Sequence, residues 1–137
     1  MNRRLPISLC LLATLLLASP LLVAQSSLHP LQGTWIVTCT PDNDNTSGRE
    51  YQDTWTFRID DTFTSEQMKK KGFADGHVDE DARRFGPSKW NTTIKSEKEG
   101  SIKYQGTADG NNIIGTFTWT KANGDTAGYS FRGEPKR

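Results

Sequence analysis

From residue 33 onwards the chain alternates apolar and hydroxyl-bearing side chains with a period of two, in runs separated by turn formers. The clearest run is Ile113 to Thr120: Ile113, Gly115, Phe117 and Trp119 fall on one side, and Ile114, Thr116, Thr118 and Thr120 on the other. A strand with one buried and one wet face produces this pattern, because successive side chains of an extended backbone point to opposite faces. Helical spacing of three and four does not. Glu50 to Ile59 repeats the pattern, with Tyr51, Asp53, Trp55, Phe57 and Ile59 on one face and Gln52, Thr54, Thr56 and Arg58 on the other. Trp35, Val37 and Cys39 alternate with Ile36, Thr38 and Thr40 in the first run, Leu31 to Thr40.

The connections carry turn chemistry. Residues 41–48, Pro-Asp-Asn-Asp-Asn-Thr-Ser-Gly, form a loop. Asp60-Asp61 leads tightly into Thr62-Phe63-Thr64, while Asp109-Gly110 and Asn123-Gly124 supply the positive φ that hairpin turns need. Trp90, Thr92 and Ile94 alternate, as do Ile102, Tyr104 and Gly106, and then Ala127, Tyr129 and Phe131. Glu66 to Lys71 reads either as the end of a strand or as a short helix. Residues 72–87 read as a long charged loop with at most one short element, and the tail from Glu134 onwards as a fraying end. Seven strands are plain, and an eighth falls between Lys69 and Phe85.

Sequential short hairpins imply an antiparallel meander. An open meander leaves two unpaired edges that closure removes. The expected fold is therefore all-β, an up-and-down meander closed into a small barrel of about eight strands. A two-sheet sandwich fits the same alternation but needs longer crossing connections.

Residues 1–24 read as a separate object. Arg3-Arg4 precede an apolar run from Ile7 to Leu17, and Leu22-Val23-Ala24 ends in a small residue, the layout of a secretory signal peptide. The expected division is a signal peptide over 1–24 and one domain over 25–137, exported to a periplasmic or extracellular space after cleavage near Ala24. Only a generous count brings the apolar stretch to the ~20 residues that span a bilayer, and it contains two prolines, so no membrane span is expected in the mature chain. Loss of Arg3 and Arg4 from 17 basic residues against 16 acidic ones leaves the domain close to neutral, without the basic footprint of a nucleic-acid binder. Cys10 leaves with the signal and Cys39 remains alone, which excludes an internal disulfide and suits a buried thiol.

The Gly33-Thr34-Trp35 tripeptide at the start of the first strand, preceded by Leu31, resembles the calycin barrels, and more closely the short lipocalin-like proteins that bacteria export. The resemblance implies a Trp35 lying across the closed end of the barrel, covered by a basic residue near the end of the last strand. Arg132 stands near that place, although alternation puts it on the outer face. The second and third lipocalin sequence blocks and the helix after the last long strand are absent from the sequence, and neither biotin binding nor protease inhibition carries over.

The inward set Asp53, Trp55, Phe57, Trp90, Tyr104, Phe117, Trp119, Tyr129 and Phe131 would line an apolar pocket or simply fill a small core. His77 with Asp79, Glu80 and Asp81 matches no metal-site spacing and reads as a solvated acidic loop. Arg83-Arg84 with Lys69-Lys70-Lys71 offers a basic rim interrupted by acids, and His29 has no evident partner. No catalytic residues, metal or cofactor are expected. The functional expectation is an exported non-catalytic barrel that binds a small apolar ligand in its interior, or alternatively an interaction or inhibitor module using the loops at 41–48 and 72–87.

Overall fold

The computed structural model describes residues 30–81 and 86–137. Eight antiparallel strands follow one another around a closed barrel: β1 (Gly33–Pro41), β2 (Tyr51–Phe57), β3 (Thr62–Ser65), β4 (Gly76–Asp81), β5 (Ser88–Ser96), β6 (Gly100–Ala108), β7 (Ile113–Thr120) and β8 (Thr126–Pro135). One short helix, α1 (Glu66–Lys70), interrupts the meander between β3 and β4. Closure is made by β1 against β8, in a register running from Trp35 opposite Pro135 to Pro41 opposite Tyr129.

The strands carry out the alternation of the sequence. In β2 Asp53, Trp55 and Phe57 are buried, while the residues between them are partly exposed. Two expectations are corrected. Ile59 does not share the inner face of β2, because the strand ends at Phe57. Arg58 to Asp61 form a tight turn, closed by the Asp61 N–H donating to the Arg58 carbonyl at 3.0 Å, and Ile59 is left 82% exposed at its tip. Asp61 follows with a φ of 64°, the left-handed residue that lets the turn match the strand twist. The strand expected between Lys69 and Phe85 is Gly76–Asp81, with Gly76 and Val78 buried and His77, Asp79 and Asp81 outward. The tail does not fray. β8 continues through Pro135, and the Lys136 N–H donates to the Thr34 carbonyl at 2.9 Å. The partner strand β1 supplies the free backbone groups that hold it.

The two rims differ. The loop end carries residues 42–50, α1, and the β5–β6 and β7–β8 turns. The base carries the 58–61 turn, the β6–β7 turn, and the chain's approach to β1. Helix α1 starts at Ser65, whose hydroxyl accepts the Met68 N–H at 3.2 Å, a cap that satisfies one of the donors a helix start leaves open. It turns Met68 into the core and delivers Phe73 after it, so apolar groups close this rim.

On the inner face of β6 and β7, Gly106 and Gly115 stand opposite each other. A Cβ on Gly115 would lie 2.1 Å from the Gln105 carbonyl oxygen and 2.7 Å from the Phe131 ring. The missing side chains make the space that the Phe131 ring occupies, 5.7 Å from the Trp90 ring. Gly115→Ala is therefore expected to destabilise the fold by about 1–3 kcal/mol, the usual effect of overpacking a core. Ile59→Thr should stay within about 0.5 kcal/mol of the parent. Urea denaturation of the two variants beside the parent checks both values.

Candidate functional site: the barrel interior and its loop end

The interior is built around Trp55. Its ring lies edge-on to Phe63 (5.4 Å between centroids), Trp90 (6.2 Å), Tyr104 (5.3 Å), Phe117 (6.5 Å) and Phe131 (4.7 Å). Such edge-to-face pairs place a ring's positive rim against a negative face and add about 0.5–1.5 kcal/mol each beyond area burial. Phe57 closes on Phe63 and Trp90 at 5.1 Å each, and Phe117 stacks on Tyr129 at 4.8 Å. Trp55, Tyr104 and Phe117 are each about 1% exposed. The aromatic residues expected to line a pocket thus pack on one another and on Phe63, Ile94, Ile102 and Ile113, which the lining expectation did not include. Each of these sat on the inner side of a short alternating run, so the signal was present; Phe63 was masked by the brevity of its strand.

Asp53 has a structural partner for every lone-pair direction it uses. Oδ1 accepts the backbone N–H of Thr54 at 2.8 Å and of Gln67 at 3.0 Å. Oδ2 accepts the Trp55 indole N–H at 2.8 Å and the Ser65 hydroxyl. One buried carboxylate therefore joins β2, the end of β3 and the first turn of α1, and it fixes the orientation of the central indole. Carboxylates in this setting are held by charge-assisted hydrogen bonds, roughly twice as strong as neutral ones.

Around it lie three groups whose ionisation the interior opposes. Burial pushes the Cys39 thiol from its ordinary 9.0 up to about 12, against a hydrogen bond from Tyr51. Burial likewise raises Tyr51 and Tyr104 well above 10.0, with the nearby Cys39 and Asp53 charges adding to the rise. All three stay neutral near pH 7. A protonated, fully buried thiol is a packing group, since the thiolate is the nucleophile.

Trp119 differs from the rest of the inward set. It sits at the loop end, partly buried, with its indole N–H donating to the Glu99 carbonyl at 2.7 Å and its ring edge-on to Phe73 at 5.8 Å. The Lys71 and Lys121 ammonium groups lie 6.0 and 5.7 Å from its centroid. It is a rim residue, not part of a lining.

Gly33 opens β1 with a φ of 125°, and Trp35 is buried with its indole N–H on the Leu31 carbonyl at 2.8 Å. Arg132 does not cover it. Its Cα partners are Thr38 and Ile114, and it is exposed on the outer face, as strict alternation along β8 requires. The bulge that would turn it inward is absent from the register of β8. The chain's return along β8 brings Pro135, not a base, opposite Trp35. His77 and Asp79 face outward, 3.9 Å apart and both largely exposed. Of the two loops offered for partner binding, residues 41–48 join β1 to β2 at the loop end, whereas 72–87 divides: residues 72–75 follow α1 at that same end, Gly76–Asp81 is β4, and 82–85 lie outside the described residues. The leader segment, His29 and Arg83-Arg84-Phe85 lie outside the described residues.

No family model, curated protein or solved structure matches the chain.

Asp53→Asn would set an amide N–H₂ among donors and should destabilise the fold by about 3 kcal/mol, because buried N–H and O–H groups lose their acceptor. Guanidinium denaturation followed by Trp fluorescence measures this. The raised Cys39 value makes a second prediction. A group with a raised folded value favours the fold fully below its ordinary value and loses that contribution as pH rises through the folded value. Stability should accordingly fall as pH rises from 9 towards about 12 through this thiol. In Cys39→Ala the decline should begin only above pH 10, where the tyrosines start to contribute. Urea midpoints of both proteins across this range decide it.

Proposed function

We propose that the chain is an exported, non-catalytic binding module that works from its outer surface and its loop end, on a barrel of lipocalin-like design. The observation that carries this reading is the occupied interior: Trp55 and the rings around it fill the space where a barrel of this size would hold a ligand. The polar group best placed to orient a ligand, Asp53, already serves four donors within the fold. The loop end supplies accessible chemistry instead. It combines a nine-residue loop at 42–50, the exposed Lys69 and Lys70 of α1, and the Trp119 edge between Lys71 and Lys121. Aromatic rims of this kind are common in interfaces, where a ring gives area and a polar handle together. The basic, then apolar, then small-residue layout of residues 1–24 supports export, and Gly33 with Trp35 at the first strand supports the lipocalin-like design.

A second reading, the carrier of a small molecule, draws on one observation. Ser88 Oγ and the Trp90 indole N–H, both inward on β5, are buried without a hydrogen-bond partner among the described residues. Buried polar groups are almost always satisfied, and a polar atom of an enclosed molecule or water would do so here.

Native mass spectrometry of protein purified from its own host separates the two. The surface module should fly at the mass of the bare processed chain or a whole multiple of it. A retained small molecule, together with saturable quenching of Trp fluorescence when it is added back, would replace the surface reading with the carrier.

A further inference from the structure

Among the described residues two large apolar side chains are exposed, Ile59 at 82% and Ile114 at 54%. They are opposite in shape. Ile59 is the tip of the Arg58–Asp61 turn, a position that turn chemistry assigns to small or polar residues and where nothing inside the fold needs an isoleucine. The turn is held on three sides: Arg58 N–H donates to the Thr62 carbonyl at 2.9 Å, Asp60 accepts the Thr62 N–H at 3.1 Å, and the Asp61 carbonyl accepts the Val78 N–H at 2.8 Å. Ile59 is a rigid apolar knob with the exposed acids Asp60 and Asp61 beside it.

Ile114 lies in a groove of about 630 Å³ on the outer wall, over β7, β8, β1 and β2. Ile36 lies on the other side of β8, in register with Glu134, while Ile114 is in register with Arg132. Arg132 and Glu134 point outward two residues apart and make no ion pair with another described residue. Among the described residues the groove thus presents two isoleucines, the unpaired Arg132 and Glu134, and the acid Asp109, whose Oδ1 is already taken up by the backbone N–H groups of Asn111 and Asn112.

We propose that the 58–61 turn of one copy of this chain docks in the Ile36–Ile114 groove of a second copy. Ile59 enters between the two isoleucines. Asp60 and Asp61 meet Arg132, and the half-exposed Arg58, which already shares Asp75 at 3.9 Å, lies toward Glu134. Apolar fit and both charge signs match in one orientation. Knob and groove occupy different faces of the same barrel, so the contact is heterologous: every bound copy still offers an empty groove or a free knob, and association continues into a ring or a filament. Tightness of the turn means that little freedom is lost on docking, the condition under which a small contact gains affinity.

Sedimentation of the purified chain from about 1 μM to about 1 mM, the range over which weak self-association shows, should give an average mass that climbs past the dimer. Ile59→Glu and Ile114→Glu both alter exposed side chains, and each alone should weaken association at least tenfold and leave a monomer with unchanged circular dichroism. Arg132→Glu should act in the same way, keeping the test intact if Ile114→Glu misfolds. An equimolar mixture of Ile59→Glu with a groove variant should restore pairing that stops at the dimer, because one intact knob and one intact groove remain. A parent chain monomeric at about 1 mM, association indifferent to these changes, or a mixture that fails to pair overturns the proposal; the first of these would leave the groove to a different protein.

Discussion

The Asp53 carboxylate is the joint on which the interior depends. Burying a charge is expensive unless hydrogen bonds replace its water, and here two backbone N–H groups, an indole N–H and a hydroxyl do so. In return the carboxylate ties three consecutive elements together at the place where the meander is thinnest. β3 has only four residues and meets β4 in a register of two pairs, Thr62 with His77 and Phe63 with Gly76. Without a lateral ladder of useful length, this corner is held by Asp53 reaching across to Ser65 and Gln67, and by Met68 and Phe73 filling the rim above.

The same joint explains why the interior is solid. Trp55 could occupy several rotamers in an empty barrel, but its indole N–H is bound to Asp53, so the ring stands upright among five others. Gly106 and Gly115 then give way on β6 and β7 so that Phe131 can close against it. Polar anchor, central ring and glycine pair form one mechanical unit. A barrel arranged in this way presents chemistry on its walls and rims, where Trp119, Ile59 and Ile114 break the otherwise hydroxyl-rich exterior.

Much of this architecture was legible in the sequence, for a definite reason. Period-two alternation reports which side of a strand is dry, and six of the strands carry it over enough residues to be unmistakable. Reading failed or weakened where something other than the strand's own pattern decided. Ile59 obeys the alternation of β2 but falls after the strand has already turned. Gly76–Asp81 carries three acids and a histidine, so its two inward positions, Gly76 and Val78, give almost no apolar signal, and pairing with β5 makes it a strand. The tail from Glu134 has no apolar pattern and is ordered by the backbone groups of β1. In the interior, Asp53 was visible as an inward acid, but its donors come from Ser65 and Gln67, twelve and fourteen residues away, and no local spacing announces them.

Closure by β1 and β8 sets the order in which this molecule can come into being. The seam joins residues near 35 to residues near 135, so its contacts are the most distant in the chain and the last whose loop entropy is recovered. Every hairpin from β1 to β7 can form while the sheet is still an open, curling ribbon with both margins bare. Such ribbons are sticky, and the interval between the appearance of β1 and the arrival of β8 is the window in which bare margins can pair with those of another copy.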